Sequence, residues 1–146
     1  MDLGGITPTA SKMPFRFKAS LRLSHPSMDP NEISSSLGLT PQRAWRADQE
    51  RSTPQGTPLQ GVYEFTYWST SIAESETSSL TDELEPWIDY LSDRASFLEH
   101  FSESGGEIEF FVGWFTTEVS GGETFDWQFL KRLAQLKINL AFDVYQ

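Results

Sequence analysis

A chain of 146 residues is the size of one domain, and such a chain buries roughly 70% of the surface its unfolded form exposes. With 38% apolar and 14% aromatic residues and no cysteine, it has the material for a core without a disulfide or a metal, lacks the signature of disorder, and fits a reducing, cytoplasmic setting. The 11 Lys and Arg against 21 Asp and Glu leave a net charge of −10, which repels a phosphate backbone or an anionic membrane and leaves a basic protein as the partner that charge would favour.

Residues 1 to 14 offer Gly, Pro, Ser and Thr without an apolar period and read as a flexible leader rather than a signal peptide. From Phe15 to Leu23 a period of two sets Phe, Ala and Leu on one face against Arg, Lys and Ser on the other, which predicts a half-buried strand. Asp29 then stands as a helix cap, Pro30 at the first helical position and Gly38 as the stop, so a short helix over Pro30 to Leu37 follows, with Ile33 and Leu37 facing inward. A short strand is expected within Gln42 to Asp48 and another over Val62 to Trp68, joined as a hairpin across a polar loop from Gln49 to Gly61.

Ser69 to Ser79 reads as a linker. Leu84, Trp87, Ile88, Leu91, Leu98 and Phe101 recur at helical spacing, with Pro86 expected to delay or kink the helix and Ser92 to open a second segment. Glu107 to Thr117 is apolar on both faces and predicts a central strand with Trp114 buried. A helix over Phe125 to Leu136, with Phe129, Leu130, Leu133 and Leu136 inward, precedes a last strand from Ile138 to Tyr145. The order β-α-β-β-α-β-α-β predicts one α+β domain over 15–146: a mixed sheet of about five strands, ferredoxin-like at heart, with helices on one face.

Leu37-Gly38-Leu39, Pro41, Arg43-Ala44-Trp45-Arg46, Gly113-Trp114-Phe115, Gly121-Gly122, the helix containing Leu130 to Leu136 and the final Phe142-Asp143-Val144-Tyr145 together resemble the bacterial DUF4279 domain family. The likeness runs from about Leu21 to Tyr145. It implies the fold and a bacterial cytosolic origin, and it supplies no reaction and no catalytic residues.

No catalytic set stands out among the residues themselves. His25 lies in a turn and His100 near a helix end, neither in a motif for nucleophilic or metal chemistry, and the glycine pairs lack the lysine and hydroxyl of a phosphate loop. No cofactor or metal is implied. What remains is a surface argument. The sheet face opposite Leu21 and Leu23 would collect Arg16, Lys18, Arg22, Asp143 and Tyr145, with Phe111 and Phe115 beside them, and Trp68 joins this set as a large aromatic. Glu83 and Glu85, in an acidic cluster with Glu74, Glu76 and Asp82 at a helix start, would steer a basic partner. The expected function is therefore protein binding, of an inhibitor or immunity type, by a chain without a recognisable catalytic set. The alternative is a small-ligand pocket or active site beneath the 49–61 loop, using Arg43, Arg46 and Asp143.

Overall fold

A computed structural model describes residues 15–116 and 122–146, so the expected leader and Gly121 lie outside the described residues. The long alternating stretch at the start forms β1 (Phe15–His25), and its register with β6 (Glu107–Thr116) runs unbroken from Phe15 opposite Thr116 to Ser24 opposite Glu107. On its other side β1 pairs with β5 (Thr66–Ser75), antiparallel, with a one-residue slip between Ala19 and Ser20. That slip leaves Ile72 as the extra residue of a bulge and brings Glu74 back beside Lys18.

The short strand β2 (Arg43–Trp45) flanks β5, and the C-terminal β7 (Ile138–Tyr145) adds in parallel to β6, giving the five-stranded order β2-β5-β1-β6-β7. The strands β1 and β2 thus straddle β5, while β5 and β6 straddle β1. Two interleaved crossovers of this kind are the ferredoxin-like pattern, here extended by β7.

All four helices of the described residues press on one face. Helix α1 (Pro30–Leu37) begins where Asp29 accepts from the Asn31 amide at 2.9 Å and ends at Gly38, whose φ of 68° is a left-handed conformation that glycine takes without strain. Helix α2 (Leu80–Ser92) is capped by Ser79 and continues unbroken through Pro86, without the late start the proline suggested. The hydrogen bond that Pro86 cannot make is the one to the Asp82 carbonyl in the first turn, where both residues are exposed to solvent. The break falls instead at Asp93 and Arg94, before α3 (Ala95–Glu103). Helix α4 (Trp127–Gln135) starts at Asp126, which accepts from the Phe129 amide at 2.8 Å.

Ile33 and Leu37 of α1, Leu80, Leu84, Ile88 and Leu91 of α2, Leu98 and Phe101 of α3, and Phe129 and Leu133 of α4 share one core with the inward residues of the sheet, Phe17, Leu21, Leu23, Trp68, Ile108, Phe110 and Val112. Leu130, expected inward, is exposed, because Phe129 and Leu133 already define the buried stripe and Leu130 lies a third of a turn away from it. Trp114 faces inward as expected but stays only half-buried near the end of the sheet, stacked on Phe15 at 3.8 Å.

Two segments differ more from the sequence reading. The 49–61 loop contains its own small sheet, β3 (Glu50–Ser52) paired with β4 (Pro58–Val62). Ser69 to Ser75, expected as linker, is the main part of β5. Its inward side after Trp68 is filled by Thr70 and, around the bulge, by Ile72 and Ala73, which pack half-buried against the core, and its long partner strand β1 holds it in place.

Candidate functional site

The alternation that sends Leu21, Leu23 and Trp68 into the core sends the intervening residues to the other face, which carries no helix among the described residues. Strand register arranges these in rows across the sheet. One row reads Trp45, Tyr67, Ser24 and Glu107, and the next reads Arg43, Ser69, Arg22, Glu109 and Asn139. Further along β1, Lys18 and Arg16 each stand 4.0 Å from Glu74 on the β5 side, while Arg16 also lies over the Phe115 ring at 4.7 Å.

Aromatic rings dominate two parts of this face. At the β2 edge Trp45 is stacked between Tyr63 at 4.4 Å and Tyr67 at 4.6 Å, and its indole N–H donates to the Phe65 carbonyl at 3.0 Å. Arg43 lies over the same indole at 5.0 Å. The Tyr63 hydroxyl donates to the Ser52 carbonyl at 2.9 Å, and the Ser52 amide donating to its oxygen, with the charge of Arg43 nearby, pulls its pKa below the ordinary phenol value. The hairpin is thereby fastened to the sheet edge. At the β7 edge Phe115 stacks on Tyr145 at 5.0 Å, and the Tyr145 hydroxyl donates to Asp143 at 3.0 Å, which pushes the phenol pKa up and keeps the ring neutral. Between the two edges the Arg22 guanidinium sits 3.6 Å above the Phe111 ring, with its Nε buried and unpartnered.

The structure brings Arg22, Asp143 and Tyr145 together on this face, with Arg43 at its β2 edge, and separates the other candidates from them. Trp68 is fully buried and donates its indole N–H to Ser34 at 2.9 Å, so it belongs to the core and cannot meet a partner. Period two showed that Trp68 alternates with Tyr67 without saying which of the two points inward; its place opposite Leu23 decides it. Glu83 and Glu85 lie on α2, on the helix side of the sheet. Arg46 pairs with Asp29 at 3.2 Å beside the start of α1. Of the three residues proposed for a pocket beneath the 49–61 loop, Arg43 alone lines the 260 Å³ concavity there, with Trp45, Gln49, Ser52 and Tyr63, whereas Asp143 stands on the opposite edge strand.

Sequence reasoning passed over Trp45, Tyr63, Phe65 and Tyr67 as site residues. Their signal was the aromatic at every second position from Tyr63 to Tyr67, the mark of one strand face.

His25 is structural. It is buried, and its Nδ1 accepts from the Ser27 and Met28 amides at 3.0 and 2.9 Å, which leaves the proton on Nε2 to be donated to the Ser104 hydroxyl at 2.9 Å. Burial lowers its pKa and holds the ring neutral. Glu123 serves α2 in a similar way, accepting from the Leu80 and Thr81 amides at 3.0 and 2.9 Å. Among the described residues no group of three or more His, Asp or Glu is arranged to hold a metal, and no helix is long and apolar enough to cross a membrane.

A single α+β domain with one helix-free face, aromatic at both edges, is the class these observations define. Within that class the chain belongs to the DUF4279 family, a domain of unknown function whose model matches residues 15–146. No curated protein and no solved structure matches it.

Proposed function

We propose that this protein is a small acidic binding module of the bacterial cytoplasm that docks another protein on the open face of its sheet, as an inhibitor or immunity-type protein does with a basic target. The observation that carries this reading is the helix-free face itself. It presents rings and guanidinium groups, the side chains that anchor interfaces, on strands held rigid by the core behind them. Phe65 and Tyr145 are each 46% exposed there, so the apolar area is already available to a partner. The net charge of −10 supports a basic partner by speeding its approach.

A photo-crosslinking residue placed at Ser20 or Ser71, in the middle of the open face, should capture one protein in the native host, and the same residue at Glu85 on α2 should not. Capture from Glu85 alone, or from neither side, would contradict the reading.

The 260 Å³ concavity between β2 and the β3–β4 hairpin favours a second reading, a small-ligand site or active site with Arg43 as its cation. A metabolite that raises the melting temperature in a concentration-dependent way, and does so less in Arg43→Ala, would support it.

A further inference from the structure

The open face is not flat. Between the aromatic wall at the β2 edge and the carboxylates of β6 lies a depression of 260 Å³, lined by Arg22, Ser24, Trp45, Phe65, Tyr67, Glu107 and Glu109. Its origin is in the register. In the row Trp45, Tyr67, Ser24, Glu107 the small Ser24 stands between a ring and a carboxylate, and in the next row Ser69 lies beside Arg22 and Glu109. Tyr67 and Glu107 are two strand spacings apart, about 10 Å. The depression is therefore a slot with rings on one side and two carboxylates on the other.

We infer that this slot receives an arginine or lysine side chain of the protein partner; the inference rests on the docking role of the open face and specifies which chemistry that face recognises. A cation in such a slot meets ring faces on one side and carboxylate oxygens on the other, two attractions of the same sign. The carboxylates are free for this purpose, since neither Glu107 nor Glu109 enters an ion pair among the described residues. The wall opposite is held in advance, because Trp45 stacks with Tyr63 and with Tyr67 and its N–H is engaged. Arg22 does not fill the slot as its own guest. Its guanidinium is drawn over Phe111, two residues beyond Glu109 on β6. The occupant's charge also accords with the net charge of the chain.

The test uses the full chain and two small probes, N-acetyl-arginine methylamide and its neutral isostere N-acetyl-citrulline methylamide, followed by amide and indole NMR shifts. The arginine probe should shift the Trp45 indole, Tyr67 and Glu109 signals saturably, and Glu109→Gln should weaken it about fivefold, as should replacement by citrulline. Equal binding of the citrulline probe, shifts confined to α2 and α3, or no shifts at all would overturn the slot. The docking reading fails separately. A crosslinked partner whose affinity ignores Glu109→Gln removes the slot and keeps the face, whereas arginine binding without any crosslinked partner keeps the slot and removes the partner.

Discussion

The two faces of the sheet are built from the same five strands and alternate residues, yet they have opposite surroundings. Behind the sheet, Phe17, Leu21, Leu23 and Trp68 are wholly buried under four helices. In front, their immediate neighbours Arg16, Lys18, Arg22, Ser24 and Tyr67 meet one another, Glu74, Phe111, Phe115 and solvent. The lesson lies in how each side is specified. The covered side needs only apolar residues of the right size, and any set that fills the space will fold. The open side has no such requirement, so rings stacked there in pairs and threes call for an explanation beyond folding.

The contrast is sharpest between adjacent residues. Trp68→Ala removes a fully buried indole and strands the Ser34 hydroxyl bonded to it, and should cost about 3 to 5 kcal/mol in urea unfolding. Tyr67→Ala, one residue earlier on the other face, should cost about 1 kcal/mol, the worth of a half-buried ring stack. Equal costs would mean that the open face is a second core with a cover.

A smaller effect probes how tightly the covered side is packed. A Cβ added at Gly106 would run into the Phe101 ring and lie 2.6 Å from the Phe101 carbonyl oxygen, so Gly106→Ala must move backbone and should cost about 1 to 3 kcal/mol. Wild-type stability in this variant would show that the turn between α3 and β6 gives way freely.

Much of the covered side was legible in the sequence. The cap at Asp29 and the stop at Gly38 fixed both ends of α1 because those signals are local, and the apolar period of β1 gave its facing. Where the pattern was weak, the reading failed. Ser69 to Ser75 looked like linker because a strand between two others can be completed by its neighbours' side chains, and no local signal reports that. The site was less legible for the same reason. Trp45 meets Tyr63 and Tyr67 only after β2, the hairpin and β5 have come together, and Glu109 reaches the neighbourhood of Tyr67 through the register of β1 with strands on both sides. Such proximity is a property of the topology.

The pH dependence of the covered side should be the gentlest effect. His25 has a folded pKa lowered from 6.5 by burial, so between the two values the unfolded chain binds more protons and stability rises with pH. The contribution is complete above about pH 6.5 and is lost as the pH falls through and below it. His25→Gln should therefore give a flatter stability profile than the wild type between about pH 7 and 5, and an unchanged slope would show that His25 does not titrate on unfolding.

The account stands or falls on which face holds a partner. Association and dissociation rates of the crosslinked partner should be measured against two paired variants, Tyr67→Ala with Phe111→Ala on the open face, and Glu83→Lys with Glu85→Lys on α2. The account predicts that the open-face pair speeds dissociation by about tenfold or more with little change in association, while the α2 pair slows association and leaves dissociation nearly unaltered. Faster dissociation from the α2 pair, with the open-face pair behaving as wild type, would place the docking surface on the helices and contradict it.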